Sequence, residues 1–348
     1  MNNRIRPSDS TISCDAFSDH PITGSPDHPM RIRILVTGAE LTSIAVEKLS
    51  SIGATLTMMP GKITEQRLIE ELRQHSTPAI LMRGNPPITR AVIEAAPALR
   101  VIAKHGVGVD SVDLAAAKEK GIRVMVAGEA NAPAAAEMTV AFMLALGRDL
   151  ESLSSRTKAG QWDRGSYHGN ELRGRTLGLV GFGRIGRRVA QLARSLGMRV
   201  IVFTRSPQAV DPALAESKAS LAALLAESDI VSLHCPLTPE TRGMMNREAF
   251  SSMKRGAVFI NTARGALVDE TALAAALQAG DLAGAALDTL ATEPPAPDNP
   301  LFSLRNVLIT PHIAGQTHGA VQRMGIAAAE NIVAVLTGQD LDPANIVI

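Results

Sequence analysis

Arg264, Glu293 and His312 each follow an apolar run in the last third of the chain: Arg264 after AVFINTA, Glu293 in LDTLATE and His312 after NVLITP. A guanidinium can make a forked, charge-assisted contact to a carboxylate and a neighbouring carbonyl oxygen, a shape that lysine lacks. Histidine is the side chain that ordinarily exchanges its proton close to neutrality, so it can give a proton to a carbonyl oxygen and take it back. Glu293 would hold the imidazolium by ion pairing. Singly, each has a plainer reading, since a lone histidine is more often an ordinary hydrogen-bonded residue and a lone arginine a surface charge. Together, at the ends of successive strands, they suit hydride exchange between a 2-oxo and a 2-hydroxy acid, with a cofactor carrying the hydride.

The cofactor has its own signal. LGLVGFGRIGRRVA places Gly181, Gly183 and Gly186 in G-x-G-x-x-G spacing. The pattern is weak alone, but here it follows an apolar strand and opens a helix, the context in which bare amides and a positive dipole end receive a pyrophosphate. About twenty residues on, where such a unit ordinarily carries an acid for the ribose hydroxyls, RVIVFTRS delivers Thr204, Arg205 and Ser206. Hydroxyls and a guanidinium suit a 2′-phosphate, whereas an acid repels one. The expected cofactor is therefore NADP(H), with NAD(H) as the alternative, and no metal is expected. A second glycine junction, HGVGVDSVD, has Gly106 and Gly108 but no third glycine. Amides at the helix start expected there would suit a substrate carboxylate, and a purely structural turn is the equal alternative.

These residues need strands and helices to hold them. RIRILVT, ATLTMMP, PAILMRG, LRVIAKHG and IRVMVAG alternate with helical stretches, and the alternation restarts with LGLVG, RVIVFT, DIVSLHCP, AVFINTAR, GAALDTL and NVLITPH. That pattern predicts an α/β chain with two Rossmann-like, doubly wound parallel sheets, and ligands beyond the carboxyl ends of the strands. NAPAAAEMTVAFMLALGR predicts one helix over 131–148, capped by Asn131, between the two halves. The helix AVQRMGIAAAENIVAVLTG is too small to fold alone and should pack on the first half. Residues 1–30, rich in Ser, Asp, Pro and His, are expected to be a disordered tail.

The chain has 348 residues, 45% hydrophobic and 20% charged, with a net charge of +1. Such a balance gives no global field for nucleic acid or an anionic membrane. Two cysteines, Cys14 and Cys235, exclude a disulfide framework and fit a reducing compartment. With no stretch resembling a membrane span or a secretory signal, the expectation is a cytoplasmic chain.

The motifs HGVGVDSVD, GLVGFGRIGRRVA, LHCPLTPET, INTARGALVDE, LDTLATEPP and TPHIAGQT, in this order, resemble those of the D-isomer-specific 2-hydroxyacid dehydrogenases. The similarity covers 31–348. It implies a discontinuous, flavodoxin-like substrate domain over 31–128 and 313–348, a dinucleotide-binding domain over 129–312, a cleft between them, and no regulatory domain after them. By position it implies Arg264 as the substrate arginine, His312 as the acid/base and Glu293 as its partner. It implies that Val107 and Gly108 meet the substrate carboxylate, and that Arg184 and Ile185 meet the pyrophosphate. Cys235, Pro236, Thr241, Thr262, Ala263 and Asp288 would line the adenosine and nicotinamide, and helix 131–148 would be the arm of a homodimer. The family uses small 2-oxo and 2-hydroxy acids. NADP(H) favours the reductive direction, toward a glyoxylate or hydroxypyruvate reductase. Two rivals stand: an NAD-linked D-3-phosphoglycerate dehydrogenase with Arg83 and Lys104 on the phosphate, and a nucleotide-gated scaffold like the family's corepressor relatives.

Overall fold

The computed structural model of the chain describes residues 11–12, 32–162 and 164–348. It divides into two compact units, 1–131 with 318–348, and 132–317. In the first unit the strands are β1 (Thr11–Ile12), β2 (Ile32–Val36), β3 (Leu41–Thr42), β4 (Ala54–Met58), β5 (Ala79–Met82), β6 (Val101–Lys104) and β7 (Arg123–Met125). Its helices so far are α1 (Ser43–Ser50), α2 (Glu65–Gln74), α3 (Arg90–Glu94) and α4 (Leu114–Glu119). The sheet runs β4-β2-β5-β6-β7, all parallel, so strand order reverses between β2 and β5 as in flavodoxin-like units. Alternate residues pack on opposite faces: Leu35, Ile80, Met82, Ile102 and Val124 on one, Ile34, Val36, Leu81, Ala103 and Met125 on the other. Burial on both faces explains why these strands read as continuous apolar runs. The tail expected over 1–30 lies outside the described residues except for β1, which pairs antiparallel with β3.

The second unit opens with α5 (Ala132–Gly147) and α6 (Leu150–Lys158), separated by Asp149 in the left-handed region at φ 48°. It continues with β8 (Thr176–Val180), α7 (Arg184–Ser195), β9 (Arg199–Phe203), β10 (Glu216–Ser217), α8 (Leu221–Glu227), β11 (Ile230–Leu233), α9 (Arg247–Ser251), β12 (Ala257–Asn261), α10 (Glu270–Gln278), β13 (Leu282–Leu287) and β14 (Val307–Ile309). The sheet order β10-β9-β8-β11-β12-β13-β14, parallel throughout, reverses at β8, where a dinucleotide fold has its binding crevice. Phe259 of β12 is fully buried and meets Phe250 of α9 edge-on at 5.3 Å, one anchor of a core face that includes Val231, Leu233 and Leu287. The chain then returns to the first unit as α11 (His318–Thr337), whose Ala328, Ala329 and Ile332 complete the face formed by Ile34, Val36, Leu81 and Ala103.

Two local expectations are corrected. The buried Asn131 side-chain oxygen has no hydrogen-bond partner among the described residues, so it does not cap α5. The helix after HGVGVDSVD begins only at Leu114, and Asp113 caps it by accepting from the Ala116 amide at 2.8 Å. A carboxylate thus occupies the helix start that was expected to receive an anion. The amides of Val107 and Gly108, in the loop before it, donate to no described residue.

Candidate active site

The second unit assembles its polar residues through side-chain to backbone hydrogen bonds and one close backbone approach. Asn261, fully buried at the end of β12, accepts from the Ala263 amide at 3.0 Å and donates to the Arg264 carbonyl at 2.8 Å. This side-chain-closed turn presents Arg264 in extended conformation, its Nη1 donating to the Ala263 carbonyl at 2.7 Å. The next residue, Gly265, lies so close to the turn after β13 that an added Cβ would stand 1.9 Å from the Leu290 carbonyl carbon and 2.4 Å from the Ala291 nitrogen. The Leu290 amide in turn donates to Glu293 Oε1 at 3.1 Å, and Glu293 Oε2 is 2.8 Å from His312 Nδ1. A chain of direct contacts thus joins the segments of all three residues. Glu270, which opens α10, clamps the same loop by accepting from the Ala291 amide at 2.6 Å and from Asn299 at 2.8 Å.

His312 sits at φ 57°, an uncommon conformation for a residue other than glycine. Asp288 holds it there. This carboxylate, 1% exposed, accepts from Thr310 Oγ1 at 2.5 Å, the Ile313 amide at 2.8 Å and the Ala314 amide at 2.7 Å, donors on both sides of the histidine. Asp288 was expected to line a nicotinamide; its oxygens are instead turned into the 310–314 turn. With Nδ1 on Glu293, His312 keeps Nε2 for a reacting group. Its competitors are disqualified by burial. His234, after β11, is held neutral by desolvation, its pKa lowered to about 4, and its Nε2 lies 2.9 Å from Ser232 Oγ. His105, after β6, is lowered to about 4 by desolvation and then by the nearby Arg83 charge.

At the switch point, Gly181 has φ 100° and packs where any Cβ would lie 2.6 Å from the His234 carbonyl oxygen. A Cβ on Gly186 would lie 2.5 Å from the Gly181 carbonyl oxygen, so helix and turn meet closely. Gly183, N-cap of α7, is the opposite case: a Cβ there would meet nothing within 4 Å, and no side chain caps the helix. Open space in front of the N-terminus of a twelve-residue helix fits a pyrophosphate, with the Arg184 and Ile185 backbone beside it. Beyond β9, Thr204 is half-buried and accepts from the Ser206 amide at 3.4 Å, while Arg205 and Ser206 are exposed. After β11, the Thr241 hydroxyl donates to the Pro236 carbonyl at 2.8 Å, and burial pushes the Cys235 thiol up to about 11, so it is no nucleophile. Thr262 shares a 3.1 Å hydrogen bond with Thr139 of α5, and Ala263 is half-buried beside it. Sequence reading missed Asn261 and Glu270; a polar residue closing a strand and an acid opening a helix were the available signals.

Residues 140–314 match the family model of the D-isomer specific 2-hydroxyacid dehydrogenase, NAD binding domain. The chain is 40% identical over 255 residues to a hydroxypyruvate reductase of Thermotoga maritima, covering 73% of this chain and 83% of the relative. The chain belongs to the D-isomer-specific 2-hydroxyacid dehydrogenase family. Other members are similar at comparable depth. A D-3-phosphoglycerate dehydrogenase of Methanocaldococcus jannaschii is 39% identical over 310 residues, 88% of this chain, which spans only 58% of that relative's length. The crystal structure of a glyoxylate reductase from Paecilomyes thermophila superposes with a TM-score of 0.81 at 30% identity, covering 92% of this chain and 99% of the other. Membership in the 2-hydroxyacid dehydrogenases accounts for the two doubly wound units, and the site geometry bears on which reaction they serve.

Proposed function

We propose that the chain reduces a small 2-oxo acid, glyoxylate or hydroxypyruvate, to the D-2-hydroxy acid with NADPH preferred over NADH. The observation that carries the reaction is His312, bonded through Nδ1 to Glu293 in a turn fixed by Asp288. When bound, the reduced nicotinamide supplies the hydride that the carbonyl carbon accepts. His312 gives the Nε2 proton to the carbonyl oxygen, and Glu293 keeps the ring oriented while its charge changes. Arg264 polarises that oxygen and grips the carboxylate. In the first unit, the amides of Val107 and Gly108, which donate to no described residue, suit a carboxylate oxygen. Gly181, Gly183, Gly186, Arg184 and Ile185 would hold the pyrophosphate; Cys235, Pro236, Thr241, Thr262 and Ala263 would flank the adenosine and nicotinamide ends.

Arg205 supports the cofactor preference, because its exposed guanidinium makes no hydrogen bond or ion pair with a described residue and follows Thr204, which stands where an acid would exclude a 2′-phosphate. Initial rates of NADPH and NADH oxidation, measured side by side with both acceptors, test the reading. NADPH preference with turnover is expected, and Arg205→Ala should lower kcat/KM for NADPH by about tenfold or more while sparing NADH. Equal losses with both cofactors would remove Arg205 from that role, and silence with both would favour a nucleotide-gated scaffold.

The phosphoglycerate alternative is favoured by the relatives of that name and by a cavity of about 540 Å³ lined by Thr37, Arg83, Gly84 and Asn85. Against it, Lys104 is 5% exposed, with Nζ donating to the Gly84 carbonyl and Asn85 Oδ1, and Arg83 Nη1 donates to the Glu40 carbonyl. The two cations are drawn inward by the loop rather than presented together.

Among the described residues no helix is long and apolar enough to cross a membrane, and we read the chain as cytoplasmic. Leu144, Leu150 and Trp162 are exposed on and after α5 and α6, Trp162 at 80%, which supports these helices as a dimer arm. Sedimentation equilibrium is expected to give the mass of two chains; a single-chain mass would remove the dimer.

A further inference from the structure

His312 and Glu293 are held by different means. The histidine stands in a turn fixed by Asp288, whereas Glu293 rides on a loop with little apolar anchorage. The chain leaves the core at Leu290, 8% exposed, and returns to it at Leu301, 1% exposed; between them residues 291–300 are exposed apart from half-buried Pro295 and Asn299. In the 2.8 Å contact of Glu293 with His312 both side chains are more than a third exposed, and such a pair holds its members together only weakly. Ordering this loop also costs conformational entropy that contacts elsewhere must offset.

Glu270 supplies such contacts at both ends. Its Oε1 accepts from the Ala291 amide at 2.6 Å where the loop begins, and its Oε2 from Asn299 Nδ2 at 2.8 Å where the loop ends. The carboxylate stands on a rigid base. It is the first residue of α10, whose cap Asp269 accepts from the Ala272 amide at 3.0 Å and whose Ala272, Leu273, Ala274 and Leu277 are buried. Both of its partners are donors. A backbone N–H has no other role, and Asn299 has Oδ1 committed to the Leu301 amide at 3.0 Å, which leaves Nδ2 to face Glu270. Position 270 must therefore offer two acceptors, which a carboxylate does and the isosteric amide does not.

We propose that Glu270 is a positioning residue for the proton transfer: by tying both ends of the loop it sets where Glu293 meets His312 Nδ1, and so which ring nitrogen carries the proton. This rests on the reading of His312 as the acid/base. Glu270 acts through Ala291 and Glu293 rather than on the reacting atoms, and a displacement near 1 Å of a group that orients the chemistry can cost about 10²-fold.

The test is a donor-acceptor swap in the full chain. Glu270→Gln keeps the shape of the side chain but turns an N–H against a donor whichever way its amide lies, so one tie is lost. Asn299→Asp sets a carboxylate against a carboxylate and loses the other. The double variant exchanges the roles: the new amide accepts from Ala291 and donates to the new carboxylate, which still accepts from Leu301. With saturating cofactor, kcat is expected to fall about tenfold in each single variant and to return to within about threefold of wild type in the double variant. KM for the 2-oxo acid should change less than about threefold, because Arg264 is held separately by Asn261. A second readout needs no turnover. In the free protein, nitrogen NMR of the neutral imidazole, with the His312 signal assigned by its loss in His312→Asn, should place the proton on Nδ1 in wild type and double variant and show mixed tautomers in each single variant. Equal impairment of all three variants overturns the proposal, and so does an unchanged tautomer and kcat in Glu270→Gln. Silence of the wild type with both acceptors would instead sink the reading of His312, while the tautomers of the free proteins still decide whether Glu270 positions the pair.

Discussion

Replacing His312 with alanine is expected to lower kcat by roughly 10²-fold or more, the cost of losing a positioned acid/base, equivalent to about 2.7 kcal/mol at the transition state. Neither of two buried histidines offers a substitute for this one. His234 and His105 are both held neutral to about pH 4 by burial, and the Cys235 thiol is pushed up to about 11. None of them carries an exchangeable proton of suitable strength near neutrality. Because residue 312 has φ 57°, the alanine variant also strains its turn. His312→Asn separates the two effects, since asparagine tolerates the left-handed region and its amide can still donate to Glu293. Steady-state kinetics with saturating cofactor should show both variants similarly impaired. Near-normal turnover in His312→Asn would mean that the turn matters and the proton does not.

The second large effect is expected at Gly265. A methyl group there would stand 1.9 Å from the carbonyl carbon and 2.0 Å from the carbonyl oxygen of Leu290, which is backbone and cannot swing aside. Gly265→Ala must push the Arg264 turn away from the turn that carries Glu293. Overpacking of this kind costs about 3 kcal/mol, which in a unit of this size lowers Tm by about 6–12 °C. Separation of the arginine from the histidine segment should reduce kcat/KM by at least about tenfold, since a displacement near 1 Å can cost about 10²-fold. Calorimetry and kinetics on one preparation check both. A variant with unchanged Tm and kcat/KM would show that the two turns need not touch.

Much of this was readable from the chain because parallel strands covered on both faces leave unbroken apolar runs. AILM of β5, VIAK of β6 and IVSL of β11 are buried along their whole length. The residues proposed for the chemistry were singled out for a related reason: in such sheets ligands bind just past those runs, where Arg264, Glu293 and His312 stand. What escaped notice lies where a polar side chain turns inward or a strand carries no apolar signal. β10 is Glu216–Ser217, both exposed, and its pairing with β9 leaves no pattern to detect. Asn131 has the residue type of a cap but a buried oxygen with no hydrogen-bond partner among the described residues, and Asp113, further along than the glycines suggested, caps α4 instead. Asp288 shows the limit most clearly. Its place at the end of β13 marked it as part of the site, but only the folded chain shows its oxygens aimed at the backbone around His312. Spacing locates a carboxylate on an element and is silent about which donors it finds.

The return of α11 to the first unit has a bearing on how the polypeptide is made. All strands of the second unit lie within 132–317, so its sheet can form as soon as that stretch has left the ribosome. The first unit is synthesised earlier but is finished later. Ile34, Val36, Leu81 and Ala103 present an apolar face whose cover, Ala328, Ala329 and Ile332, comes from near the other end of the chain. Until α11 has been made that face is covered only in part, by Ala45 and Leu49 of α1, and exposed apolar surface of this kind is what chaperones recognise and what aggregation exploits. The topology that interrupts one unit with another thus makes the first-made half the last to be complete.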